Sequence, residues 1–216
     1  MVELDRQTDY WDRVADAKTF SHPVELPLLR RFLPLESRIL DYGCGYGRLG
    51  AELSRAGYTN VTGVDISEQM IERGRRAHPA LDLRVAGELP LPFSTASFDA
   101  VLLFAVLTCV PSDAGQKEIV REIERVLSPS GLLYASDYPL QEDEKNRSRY
   151  GSCAERYGKY GVFELPEGAV MRHHDPAWIR ELLSGFEPLS YEVIPIRTMN
   201  GSQARAFQLL GRKRRN

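Results

Sequence analysis

Between residues 37 and 136 the chain alternates short apolar runs with stripes of apolar residues at helical spacing. Residues 38–42 form a short apolar run that ends in a cluster of glycines. Leu49, Leu53 and Ala56 then repeat at helical spacing until Gly57, a helix stop signal. Residues 60–65 read as a second strand. Ser67 follows as the N-cap of a helix that carries Met70 and Ile71 and fades near Gly74. Residues 81–85 give a third strand. Phe98 to Phe104 is continuously apolar, the pattern of a central strand buried on both faces. A helix is predicted over residues 113–127, with Ile119, Ile123, Val126 and Leu127 on one face. Pro129, Ser130 and Gly131 predict a turn, and residues 132–135 a fifth strand. Strands alternating with helices at this spacing predict βαβ units and a parallel sheet. Ligands of such sheets bind beyond the carboxyl ends of the strands. Here those ends are Asp41, Asp65, Val85–Ala86, Phe104 and Ser136–Asp137.

Residues 139–172 break the rhythm. A charged segment, residues 141–147, precedes Tyr150, Tyr157, Tyr160 and Phe163, which are interleaved with Gly151, Gly158 and Gly161. An inserted helix plus loop is predicted. The helical pattern resumes at Asp175–Pro176, an N-cap with proline at the first helical position. It runs through Trp178, Ile179, Leu182 and Leu183 to Gly185. Residues 189–196 and 204–210 read as two closing strands. Their short connection cannot make a parallel crossover, so the pair is antiparallel.

The 216 residues, 43% apolar and 27% charged, are enough for one large globular domain without a metal or disulfide staple. The net charge of −2 gives no basic field for nucleic acid. The one basic run, Arg212 to Arg215, reads as a solvated tail. The three cysteines, Cys44, Cys109 and Cys153, are odd in number and widely spaced, which fits a reducing compartment and not a disulfide or zinc framework. The first residues, Met1 to Arg6, lack the pattern of a signal peptide. No apolar run approaches the ~20 residues of a membrane span. A soluble cytoplasmic protein is expected.

The segment from Asp41 to Gly50 carries the most chemistry: Asp-Tyr-Gly-Cys-Gly-Tyr-Gly-Arg-Leu-Gly. Glycines after a strand let the backbone approach a ligand where a Cβ would block it. The loop also opens a helix, whose N-terminus offers free N–H groups. Read from Gly45 it matches G-x-G-x-x-G, the dinucleotide fingerprint. Asp41, however, sets a carboxylate beside the cradle. That suits a ligand with an ammonium group and repels a pyrophosphate. Asp65 ends the second strand 24 residues later, where an acid can accept hydrogen bonds from two ribose hydroxyls.

These residues resemble the class I S-adenosylmethionine-dependent methyltransferases. The likeness rests on Ile39 to Gly47, on Gly63-Val64-Asp65-Ile66-Ser67, and on Leu91-Pro92-Phe93 followed by Ser97-Phe98-Asp99. The stretch from Val126 to Leu133 also matches the family's turn before its fifth strand. The resemblance implies a doubly wound, Rossmann-like α/β sheet of seven strands. The sheet would be mostly parallel with an antiparallel C-terminal strand, and helices would cover both faces. It implies one methyltransferase domain over residues 1–216, with an N-terminal helical lid at 1–35 and an inserted lid or acceptor segment at 139–172. Asp41 with the Gly43, Gly45 and Gly47 backbone would face the methionine part of S-adenosylmethionine. Asp65 would hold the ribose and Ile66 the adenine. Gly87 stands where the family usually has an acid near the adenine amino group, so Glu88 or a backbone group takes that place. Phe104 and Ala105 would line the sulfonium region, and Tyr10 and Trp11 lie in the segment that folds over the cofactor.

Methyl transfer from a sulfonium is an in-line displacement, so the protein supplies mainly orientation and a dry pocket. A general base helps where the nucleophile must lose a proton. The candidates are His22, His173, His174, Asp137 and Tyr138. Neighbouring residues of an extended stretch point opposite ways, so at most one of His173 and His174 faces the pocket. No Pro-Cys pair, no Asn-Pro-Pro-Tyr or Asp-Pro-Pro-Tyr after the fourth strand and no clustered Asp/Asn set occur. Cytosine C5 enzymes, adenine amino methylases and magnesium-dependent catechol enzymes are thereby disfavoured. The expected activity is transfer of a methyl group to an O, N, S or C nucleophile of a small molecule, an aromatic one among the candidates, without metal, nucleic acid or membrane. Monomer and homodimer both remain open. A non-catalytic cofactor-binding protein and an NAD-dependent oxidoreductase are the alternatives. A macromolecular methyl acceptor has only the basic C-terminal run in its favour.

Overall fold

The computed structural model describes residues 5–215. The residues 1–4 that bear on a leader sequence lie outside the described residues. Seven strands form one sheet in the order β3-β2-β1-β4-β5-β9-β8. They are β1 (Ile39–Tyr42), β2 (Val61–Asp65), β3 (Asp82–Val85), β4 (Phe98–Phe104), β5 (Leu127–Asp137), β8 (Phe186–Arg197) and β9 (Gln203–Lys213). The pairs β1–β2, β2–β3, β1–β4 and β4–β5 are parallel. Strand β9 runs antiparallel to both β5 and β8. The sheet is thus mostly parallel with one reversed strand, as the short 197–203 connection requires.

Helices cover both faces. Helices α2 (Leu26–Phe32) and α3 (Arg48–Arg55) bury Leu29, Leu49 and Leu53 against Ala100, Leu102 and Phe104 of β4. On the other face α5 (Asp113–Val126) and α7 (Pro176–Leu182) bury Ile119, Ile123, Ile179 and Leu182 against Val101 and Leu103. Alternation along the strand sends successive side chains to opposite faces, and both faces of β4 are dry. Helix α4 (Glu68–Ala77) starts at Ser67, whose hydroxyl accepts from the Met70 amide at 3.1 Å. Asp175 caps α7 in the same way through the Ala177 amide.

Three expectations change. Strand β5 begins at Leu127, which already pairs with Phe98. Pro129 to Gly131 is therefore an irregular stretch inside the strand, with Ser130 at φ +63° and a register shift against β4. Residues 139–172 hold a helix, α6 (Glu144–Tyr157), and also a two-stranded hairpin of β6 (Val162–Glu164) and β7 (Val170–Arg172). The hairpin strands are only three residues each, too short for alternation to show in the sequence. The basic run at the C-terminus is only partly a tail. Arg212 and Lys213 belong to β9, and the Lys213 ammonium donates to the carbonyls of Glu124 and Leu127.

The N-terminal segment contributes α1 (Thr8–Val14), laid across α4. Asp12 fixes it there, accepting from the Ser67 hydroxyl at 2.6 Å and the Gln69 amide at 3.2 Å. Among the described residues no helix is long and apolar enough to cross a membrane.

Candidate functional site

The carboxyl ends of β1, β2 and β4 open into a cavity of about 1110 Å³. Helices α1 and α6, the β6–β7 hairpin and the β8–β9 turn close it over. Pockets for one small ligand are commonly about 300–1,000 Å³, so this one lies just above that range.

One end is built by the chain's glycine loop. Gly43, Gly45 and Gly47 all take positive φ, and Gly47 is the left-handed N-cap of α3. A Cβ at Gly43 would overlap Val106. The Asp65 carboxylate spans the loop: one oxygen accepts from the Gly45 amide at 2.8 Å, the other from the Ser67 amide at 2.9 Å. Burial raises its pKa, and the Ser67, Gly45 and Ile66 amides oppose that rise. Asp41 is 1% exposed, and its Oδ2 has no hydrogen-bond partner. Burial pushes its pKa up to about 7; Arg48 pulls it down, Asp65 raises it, and the Gly50 amide lowers it. An orphaned carboxylate oxygen in a cradle without Cβ atoms is what an ammonium-bearing ligand would satisfy. Ile66, Gly87, Phe104, Ala105 and Trp11 line the same end. Ala105 holds φ +54°, and its amide donates to the Ser136 carbonyl at 2.7 Å.

The other end is a chamber of aromatic rings. Tyr138 stacks on His173 at 5.0 Å and 17°, and the His22 ring meets it edge-on at 4.8 Å. Phe163 lies edge-on to His173 at 4.9 Å. His22, Tyr138, Phe163 and His173 all line the cavity. Nδ1 of His22 is 2.9 Å from the Ser136 hydroxyl, and its Nε2 is buried without a partner. Burial, helped by Arg48, lowers its pKa to about 4. Nδ1 of His173 lies 2.5 Å from the Tyr150 hydroxyl. Burial, with Arg149 and His174 adding to it, holds this imidazole neutral.

Several candidates lie elsewhere. His174 is fully buried and does not line the cavity. Its Nδ1 meets the Tyr138 carbonyl at 3.0 Å and its Nε2 the Gln116 side chain at 3.0 Å, so no nitrogen is left for chemistry. Asp137 is buried behind the chamber, where it accepts from the Thr108 and Tyr138 amides at 3.1 and 2.7 Å. It anchors the 3₁₀ turn Leu107–Cys109 after β4. Tyr10 turns away from the cavity into a cluster with Tyr150, Phe163 and Met171. Gly45 is covered by the Phe20 ring, and Gly47 packs against Leu81 and Leu83. Glu88 stands at the rim with its side chain 87% exposed, 3.8 Å from Arg6.

Other lining residues have no signal in the sequence. Thr198, Met199 and Asn200 of the β8–β9 turn come over the chamber from the far end of the sheet. Phe20 stacks on Tyr46 at 5.3 Å and closes the glycine loop. Arg149 projects from α6 and is half-buried. Among the described residues no group of three or more His, Cys, Asp or Glu side chains could hold a metal ion.

A doubly wound sheet with one reversed strand, an acid at the end of β1, a second at the end of β2 and a glycine loop between them define a methyltransferase-type cofactor fold. The comparisons agree. A family profile described as a methyltransferase domain matches residues 40–135. The 27-O-demethylrifamycin SV methyltransferase of Amycolatopsis mediterranei is 34% identical over 191 residues, covering 85% of this chain and 66% of its own length. A ubiquinone biosynthesis O-methyltransferase of Xanthomonas oryzae is 32% identical over 135 residues, 59% of this chain and 55% of its own. A crystal structure of a SAM-dependent methyltransferase from Methanosarcina mazei superposes with a TM-score of 0.81 at 27% identity, over 87% of this chain and 97% of that one. The chain belongs to the class I S-adenosylmethionine-dependent methyltransferase family. It spans from about half to two thirds of the length of the curated relatives it matches.

Proposed function

We propose that the protein transfers a methyl group from S-adenosylmethionine to an oxygen nucleophile of a small molecule held in the aromatic chamber. The observation that carries this reading is the single cavity that joins the Asp41/Asp65 cradle to the Tyr138–His173 rings. A relative named as an O-methyltransferase, and another named for a 27-O-demethyl substrate, favour oxygen as the acceptor atom. When bound, the cofactor supplies an activated methyl on a sulfonium leaving group. Asp41 would pair with its ammonium, and the Gly43 region would pass close along its amino-acid part. Asp65 would accept from the ribose, and Ile66 with Gly87 would border the adenine. The exposed carboxylate of Glu88 contributes little. A buried acid beside the cradle disfavours a dinucleotide pyrophosphate, and with it the oxidoreductase alternative.

The two chamber histidines take different parts in this reading. With Nδ1–H of His22 donated to the Ser136 hydroxyl, its unpartnered Nε2 keeps a lone pair and serves as the base. The Tyr150 hydroxyl accepts from the Gln141 amide at 3.2 Å, and in this reading it gives its hydrogen to Nδ1 of His173 at 2.5 Å in preference to the more distant Asn146 side chain at 3.4 Å. Nε2–H of His173 is then a donor that orients the acceptor oxygen. Tyr138 is the floor between them. The α1 and α6–hairpin segments act as the covers of one domain, and the free thiols suit a cytoplasmic setting.

Calorimetric titration with S-adenosylhomocysteine tests the first half of the reading; saturable binding is expected, and binding of NAD in its place would overturn it. His22→Gln tests the second. It is expected to lower kcat by about 10²–10⁴ while S-adenosylhomocysteine affinity stays within a few-fold. A variant with unchanged kcat would remove the base assignment.

A further inference from the structure

Arg149 is a half-buried cation that makes no ion-pair contact among the described residues. Its guanidinium carbon lies 3.5 Å from the centre of the Phe163 ring and 5.7 Å from that of Tyr150. Its Nε is buried without a hydrogen-bond partner. The acids that share the cavity lining at this end are engaged elsewhere. Glu164 pairs with Arg156, and Glu167 pairs with Lys18. Asp143 accepts from the Asn146 amide and side chain at the start of α6. Other arginines with access to the cavity have partners: Arg6 meets Glu88, and Arg48 meets Glu52. Among the described residues no ion pair includes Arg149. Burial pushes its pKa down, against the opposing Tyr150 hydroxyl and the Asp143 charge, neither of which forms an ion pair with it. The Phe163 face compensates part of that cost.

The position of this charge limits what it can bind. Phe163 adjoins His173, and His173 stacks on Tyr138. An anion seated on Arg149 would therefore place an attached ring against Phe163, with its far edge toward the His173 and His22 nitrogens. One guanidinium presents a planar fork that matches a single carboxylate with two parallel hydrogen bonds. Only Lys145, one turn earlier on α6 and exposed, adds positive charge to the lining nearby. A doubly charged phosphate calls for more donors than that.

We propose that Arg149 is a specificity-determining residue that pairs with a carboxylate of the acceptor, and that the acceptor class is small aromatic acids bearing the nucleophilic hydroxyl. The identity of the hydroxyl as nucleophile rests on the methyltransferase reading; the pairing with Arg149 does not.

The test is calorimetric titration of the full chain saturated with S-adenosylhomocysteine. The probes are protocatechuate, para-coumarate and a hydroxynaphthoate, each beside its carboxamide, with phenyl phosphate as a further arm. At least one acid is expected to bind about 10- to 100-fold more tightly than its amide, the range for a hydrogen-bonded charge. That preference should vanish in Arg149→Met and persist in part in Arg149→Lys, with S-adenosylhomocysteine affinity unchanged in both. Equal binding of acid and amide, a preference that survives in Arg149→Met, or tighter binding of phenyl phosphate would overturn the proposal. So would the failure of every acid to bind while S-adenosylhomocysteine binds. If S-adenosylhomocysteine itself does not bind, the methyltransferase reading falls, and the acid–amide comparison on the free chain still decides the role of Arg149. Should Arg149→Met fail to fold, the wild-type acid–amide ratio decides alone.

Discussion

The two ends of the cavity are built by different means. The cofactor end takes its frame from residues 41–67, a contiguous stretch in which backbone amides, positive φ glycines and two acids do the shaping, with Trp11, Gly87, Phe104 and Ala105 added around it. The acceptor end draws single side chains from residues 22, 138, 149, 163, 173 and 199, contributed by five separate segments. A site made of backbone tolerates little change, because a Cβ in the wrong place has nowhere to go. A site made of side chains on covers can be re-specified residue by residue without disturbing the sheet. In the proposed reading, the division separates the machinery for the methyl donor from the choice of acceptor.

The largest expected effect lies at the cofactor end. Asp65→Ala frees the Gly45 and Ser67 amides and, in the proposed reading, removes the ribose acceptor at once. S-adenosylhomocysteine affinity should fall by about 100-fold or more, since hydrogen bonds to a charge contribute about 1.5–3 kcal/mol each. An affinity within a few-fold of wild type, read by calorimetry, would break the asymmetry between the two ends.

Asp41→Asn sharpens it through pH. The Asp41 carboxyl, raised from an ordinary 3.8 to about 7, holds its proton in the free fold at pH values where the unfolded chain has lost it. Asp41 therefore destabilises the fold progressively as pH rises from about 4 to about 7. The asparagine variant should gain stability over wild type across that window, by up to about 1.4 kcal/mol per pH unit, and level off above it. The buried histidines act on both proteins alike and cancel in the difference. Thermal unfolding from pH 4 to 8 without ligand measures the gain. The same variant should bind the cofactor product at least about tenfold more weakly at pH 8. A stability difference that does not change with pH would remove the buried, ligand-awaiting acid from the account.

A smaller effect is expected at the covers. Gly161 sits at φ +96° beneath the His173 carbonyl, whereas Gly158 caps α6 in open space at φ +65°. Gly161→Ala should lower kcat several-fold by moving His173, with S-adenosylhomocysteine affinity retained. Gly158→Ala should cost about 1 kcal/mol of stability and little activity. Equal loss of turnover and cofactor affinity in Gly161→Ala would mean that the insertion does not belong to the acceptor end alone. The smallest effect is at the rim. Glu88→Ala should change S-adenosylhomocysteine affinity by less than about threefold, because an exposed carboxylate beside Arg6 is screened by water.

Much of the cofactor end is legible in the sequence because its signals are local. Ser67 caps α4, the glycine loop follows β1, and Asp41 and Asp65 fall at strand ends by spacing alone. The helix and strand pattern from 37 to 136 is recovered almost completely, apart from the Pro129–Gly131 stretch, which β4 pulls into the ladder. The histidine pair is half legible. Alternation says that one of His173 and His174 faces away, and it takes the Gln116 side chain and the Tyr138 carbonyl to show that it is His174. Asp137 looks like an acceptor-side acid by its place at the end of β5, yet the 3₁₀ turn behind β4 claims it.

By itself the sequence determined the periodicities, the caps, the βαβ order and the acids at the strand ends. These depend on neighbours a few residues away, and short-range sterics and hydrogen bonding decide them. Only the tertiary structure decided which rings meet in the aromatic chamber, that His22 keeps a free nitrogen while His174 keeps none, and that Arg149 makes no ion-pair contact among the described residues. Each of these is a contact, or the lack of one, between segments tens to more than a hundred residues apart. No local propensity encodes it; it follows from how the covers pack onto a sheet that the local signals had already laid out.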